Sequence, residues 1–218
     1  MEVIVKKHHV NGQLASKVSF VNGKKNGAFE HYHPTGEIRE RGTFKDGELD
    51  GTVEGFHKNG KFKNVAYYKN DEREGVFFSF FKDGKIEKTE TYSEGKLHGT
   101  TTMYYPNGKN RQVFNYKNGK LDGEYKIYYP NGVLSEMVTF ENGIEEGVSV
   151  SYYESVPPQI KTKCTYVDGE IEGTDIEWYE NGNVKSIVTY KNGDIITIVE
   201  WSESGYLISS EVFKGENI

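Results

Sequence analysis

Three histidines, His9, His33 and His57, stand 24 residues apart. Imidazoles on a common spacing raise the possibility of a metal site. If the spacing reflects a repeat of two strands, however, these residues sit about 9.6 Å from one another, whereas zinc needs its ligand nitrogens within about 2.1 Å of one ion. Such a column cannot chelate. His31 and His33 share a strand face at i, i+2, yet no carboxylate or cysteine is evident in the sequence to complete a ligand set. The histidines read instead as polar aromatics filling a column that tyrosine fills later. Cys164 is the one cysteine, which excludes a disulfide framework and a Cys-based zinc site. It stands two residues before Tyr166, as Val138 and Val188 precede their own closing aromatics, and is expected to be a small buried residue. The sequence contains no P-loop, dinucleotide fingerprint, H-E-x-x-H, G-x-S-x-G or kinase signature. The expectation is a non-catalytic chain without metal or cofactor.

The chemistry that remains is recognition. The 218 residues carry a formal charge of −6, but the distribution is uneven. Residues 1–70 hold 12 Lys and Arg against 8 Asp and Glu, residues 71–140 hold 10 of each, and residues 141–218 hold 5 against 15. The acidic third also contains both tryptophans, Trp178 and Trp201. Acidic side chains steer a basic partner while Trp and Tyr anchor it, so the candidate partner-binding residues are Trp178, Trp201, Tyr152, Tyr179, Glu170, Glu172, Glu177 and Glu180.

A repeat must position them. Closing aromatics recur at Phe20, Phe44, Tyr68, Tyr92, Tyr116, Phe140, Tyr166 and Tyr190, 24 residues apart except for 26 between Phe140 and Tyr166. Three glycine columns follow the same period, with Asp71 replacing one member and Thr197 another. Within Lys117–Gly132, Asn118-Gly119 and Asn131-Gly132 bracket a strand, because both dipeptides accept positive φ cheaply. The fold expected is all-β, an elongated antiparallel meander of 24-residue hairpins in a single sheet. It forms one repeat domain over residues 1–218, with an N-terminal half-unit cap over 1–20, seven hairpin units over 20–190, and a degenerate C-terminal unit and cap over 191–218. Some 17 strands at about 4.8 Å would reach roughly 80 Å if uncurled. Apolar residues are 35%, thin for a globule, and the 16 tyrosines supply burial instead. Only Glu154-Ser155-Val156-Pro157-Pro158-Gln159 breaks the turn pattern, with proline where the other turns have glycine.

The string N-G-K-L-D-G-E-Y-K-I-Y-Y-P-N-G resembles the variant class of MORN (membrane occupation and recognition nexus) repeats of bacterial proteins, including YwqK-type antitoxins. The resemblance covers about residues 10–213. It implies hairpin-repeat architecture, a spacer or binding-surface role and, through the family's name, lipid association. The place two residues after the second glycine, where the better-known form carries another glycine, holds Phe29, Val53, Phe77, Thr101, Tyr125, Ser149 and Asp175.

The leading expectation is an interaction protein whose acidic aromatic third binds a basic protein, antitoxin activity being the case the resemblance implies. A structural spacer or scaffold, associating head to tail, is the alternative. A further alternative seats Lys6, Lys7, Lys24, Lys25, Lys61 and Lys63 on anionic lipid, although Glu30, Glu37, Glu40, Asp46 and Glu48 cut that attraction. The acidic charge and lack of a binding module argue against nucleic acid. With no signal-peptide run in Met1 to Gln13 and no span of roughly 18 apolar residues, a cytoplasmic location is expected.

Overall fold

A computed structural model describes residues 1–213. Residues 214–218, part of the C-terminal unit expected over 191–218, lie outside the described residues. The described chain contains 22 strands, and the pairings between consecutive long strands run antiparallel, as a meander of 24-residue hairpins requires. No helix is long and apolar enough to cross a membrane.

The Asn-Gly dipeptides make the tight connections. Asn118 and Gly119 have φ of 52° and 84°, and where Asp71 replaces glycine, Asn70 and Asp71 keep φ of 52° and 66°. Two consecutive positive φ values match the right-handed twist of the flanking strands, and Asp tolerates this region better than most side chains. The other turns close differently: Gly132 N–H donates to Tyr129 O at 2.8 Å, Tyr129 N–H to Val133 O at 2.9 Å, and Val133 N–H to Asn131 Oδ1 at 2.8 Å.

An interruption one residue before the second glycine in four long strands takes the strand count above the expected 17. It leaves two-residue pieces at Glu48–Leu49, Lys96–Leu97, Ile144–Glu145 and Glu170–Ile171. At these breaks Asp50, His98, Glu146 and Glu172 N–H groups donate to Thr43, Thr91, Thr139 and Thr165 carbonyls. Elsewhere the strand continues, as in Lys24–Tyr32, Glu72–Phe80 and Lys120–Tyr128.

Contacts divide the chain into two units, Met1–Gly108 and the residues from Lys109 onward. In the first, the core contains Phe29, Val53 and Ala66; Phe29 pairs with Gly42, and Val53 with Ala66. A Cβ on Gly42 would come within 2.8 Å of Phe29 Cε1 and 2.9 Å of Val53 Cγ2, so the glycine makes room for two larger neighbours. Further along, the buried Glu90 accepts from Lys88 Nζ at 2.8 Å and Tyr92 OH at 3.0 Å. In the second unit Phe114 and Val138 flank Tyr125 in register, and the Phe114 and Tyr125 rings stack at 5.0 Å. Cys164 is half-buried rather than buried. Burial raises its thiol pKa, and the nearby Asp175 carboxylate adds to the rise.

Candidate functional site

The structure divides the sequence candidates among three places. Glu170 and Glu172 stand beside the Asn192-Gly193 turn. Glu170 is exposed, but Glu172 accepts the Asn192 N–H at 2.7 Å. The same bond joins Glu146 to Asp168 N–H and Glu74 to Glu94 N–H. This acidic column therefore ties one hairpin turn to the next. Glu177 lies mid-strand, within 2.9 Å of Lys185 Nζ. Adjacent strand residues point to opposite faces, so Glu177 and Trp178 do not share one. Glu177 falls with Asp175 and, across the register, Thr162.

Tyr152, Trp178, Trp201, Tyr179 and Glu180 gather at the far strand ends, roughly 25 Å along the strand from Glu170. Tyr152, Trp178 and Trp201 occupy equivalent positions in successive repeats, about 10 Å apart, and all three are half-buried. A ladder of hydrogen bonds fixes them. Tyr129 OH donates to Tyr152 O at 2.8 Å, Tyr153 OH to Trp178 O at 2.7 Å, and Tyr179 OH to Trp201 O at 2.9 Å. Each hydroxyl holds the backbone of the next repeat's aromatic residue. In the first unit His9 and His57 do the same work, each placing Nε2 against a carbonyl, Tyr32 O at 3.1 Å and Phe80 O at 2.9 Å.

Beside the aromatics runs a second column. Glu180 is exposed, as are Glu154 and Glu203, which hold the same turn position in the neighbouring repeats. Charge counting alone does not single out Glu154 or Glu203, whereas aligning the turns by repeat does. Burial raises the Tyr153 phenol pKa; among the charges around it, Glu177, Glu180 and Glu203 act in the same direction, against Lys185. The cations nearest this phenol are Lys185 and Lys161, whose Nζ lies 5.8 Å from the Tyr153 ring centroid. The proline-containing turn keeps its base closed, with Tyr153 N–H donating to Gln159 O at 2.9 Å and Gln159 N–H to Ser155 Oγ at 3.2 Å.

His31 also differs from the expectation. A carboxylate does reach it: Glu40 Oε2 lies 3.2 Å from His31 Nδ1 because the two residues face one another in register. Among the described residues no group of three or more His, Cys, Asp or Glu side chains is gathered to hold a metal.

Comparison with known proteins places these features in a family. No curated protein matches the chain. The crystal structure of the GtfA/B complex bound to UDP and GlcNAc is similar at 16% identity and a TM-score of 0.20, over 64% of this chain and 24% of that one. The TcdB2-TccC3-Cdc42 structure is similar at 9% identity and a TM-score of 0.23, over 97% of this chain and 15% of that one. The chain thus spans less than a quarter of either protein's length, and neither likeness carries an argument about function. The MORN repeat variant signature matches residues 25–46, 49–70, 73–94, 97–118, 121–142 and 171–192. It omits the stretch containing the proline turn, yet covers more than half of the 218 residues. With its glycine-framed hairpins and inter-repeat ladders, this chain belongs to the MORN repeat variant family.

Proposed function

We propose that the chain is a non-catalytic interaction module, and that a basic protein docks on the strand-end edge formed by Tyr152, Trp178 and Trp201 with Glu154, Glu180 and Glu203. The observation supporting this reading is the alignment of three exposed carboxylates beside three half-buried aromatics at a common repeat spacing. Carboxylates at such intervals speed the approach of a cationic surface, and aromatic anchors that are already held by backbone hydrogen bonds lose little freedom on binding. An immunity or antitoxin role against a basic toxin, of the YwqK kind, is one form this activity takes. Glu172 and Glu177 leave the candidate interface because the fold already uses them.

Trp178 and Trp201 are the two tryptophans of the chain, so their fluorescence reports on this edge directly. Titration with a tryptophan-free, arginine-rich peptide is expected to shift the emission, and the response is expected to disappear in a variant carrying Glu154→Lys, Glu180→Lys and Glu203→Lys. The Glu170→Lys variant, altered at the opposite turn edge, keeps it. An unchanged titration in the triple variant overturns the reading. Light scattering that shows salt-sensitive, concentration-dependent assembly favours the scaffold alternative, and sedimentation with anionic vesicles favours the lipid one.

A further inference from the structure

A groove of about 790 Å³ opens in the first unit, lined in part by His33, Arg39, Gly55, Lys58, Lys63 and Lys82. Gly55 shapes its wall. Its column holds His31, Ser79, Met103, Ile127, Ser151 and Glu177 in the other repeats; a Cβ on Gly55 would come within 2.5 Å of Asn64 Oδ1, so the glycine leaves the place that the Asn64 amide occupies. Gly55 pairs with Glu40 on one side and Asn64 on the other. Both neighbours line the groove, and their strands carry register irregularities at the same level. These bring the extra residues Arg39 and Lys63 to its wall.

The cations around it are also departures from the repeat. Lys58 and Lys82 occupy the turn position that holds proline at 34, 106 and 130 and glutamate at 154, 180 and 203. Architecture therefore does not require them. Among the described residues Arg39, Lys58, Lys63 and Lys82 make no ion pair, and Glu37 acts on Lys58 only at longer range. The carboxylate in the lining, Glu40, gives Oε2 to His31. The inter-repeat ladder breaks at this point as well: His33 Nε2 is buried without a partner, where His9 and His57 each reach a carbonyl.

We propose that this groove binds a small phosphorylated sugar. The four unpaired cations neutralise a phosphate dianion, while the Asn64 amide and the remaining Glu40 oxygen hydrogen-bond to hydroxyl groups. The same carboxylate repels ligands that carry a second anion where the sugar would lie. The volume is that of a pocket for one small molecule, not of a track for a polymer. His33 supplies a further polar group once its ring turns toward the ligand.

The test is calorimetric titration of the full chain with glucose 6-phosphate. Saturable binding at one site is expected, with glucose and inorganic phosphate each weaker by about tenfold or more. The Lys58→Glu, Lys82→Glu variant installs residues that the same column already carries elsewhere. It is expected to melt as the parent does and to lose at least about tenfold in affinity. A Gly55→Ser variant, whose Cβ meets Asn64 Oδ1 and displaces that amide from the wall, is expected to weaken binding as well. Absence of glucose 6-phosphate binding, or equal binding by the charge-reversed variant, overturns the proposal. So does retention on phosphatidylcholine vesicles containing phosphatidic acid without binding of the soluble sugar phosphate, because that result assigns the cations to a membrane surface.

Discussion

Single side chains in this protein act mainly between repeats. A tyrosine hydroxyl that donates to the next repeat's carbonyl contributes about 1 kcal/mol, and a column of them gives register as well as stability. Asp175 is an exception. It continues the row of Ser149 and Cys164 and faces Val188, a place for a neutral side chain. Burial raises its carboxyl pKa, with Glu177 adding to the effect. The sign follows directly: a carboxyl whose folded pKa lies above its unfolded value is bound more strongly to its proton in the fold. Its ionisation therefore opposes folding, and stability from this site is greatest below the unfolded pKa and declines as pH rises through the folded one. Asp175→Val is expected to raise stability at pH 7 by on the order of 0.5–1 kcal/mol. Thermal melts at pH 7 and pH 3 check it, since the advantage should shrink in acid, where the parent's carboxyl is already neutral.

At the scale of the strand, size complementarity across neighbouring repeats decides what fits. Phe29, Gly42, Val53 and Ala66 interlock large against small. Gly42→Ala places a Cβ within 3 Å of both Phe29 and Val53, and neither buried side chain has space to withdraw. The expected cost is about 1–3 kcal/mol, measured by urea denaturation; a neutral result would mean that the strands separate easily at this point. The hairpins themselves were legible in the sequence because their turn residues, Asn118-Gly119 and its equivalents, carry the backbone requirement in their identity. The two-residue strands at Glu48–Leu49 and its counterparts were not, since the break comes from backbone donation to the threonine carbonyls. His31 and Glu40 illustrate a second limit. They are nine residues apart and uninformative as a pair until the hairpin register is known. The candidate site was legible by column for Trp178 and Trp201, but charge counting merges Glu172 and Glu177 with it because composition does not distinguish a carboxylate facing solvent from one that holds a turn, as Glu172 does, or one that pairs with a lysine, as Glu177 does.

For the molecule, repetition makes stability local. Each hairpin pairs with its neighbours in sequence, so the folding free energy is close to a sum of repeat terms and interface terms rather than the property of one shared core. That separates two deletions, one of a full period and one of half a period. Removing residues 120–143 takes out one full period and joins Gly119 to Ile144, leaving an Asn-Gly turn followed by a strand that begins as Lys120 did. The new strand presents a second glycine, Gly147, at the same distance from the turn as Gly123 had. Asn110–Lys117 then meets a partner with the same alternation. Removing residues 120–131 instead cuts within the period and reverses which face each following side chain takes relative to its turn. The full-period variant is expected to keep a β-type circular dichroism spectrum and a cooperative melt, shifted down by several degrees, whereas the half-period variant is expected to lose cooperative unfolding. Equal damage from both would show that the repeats depend on a core they share, and the additive description would fail.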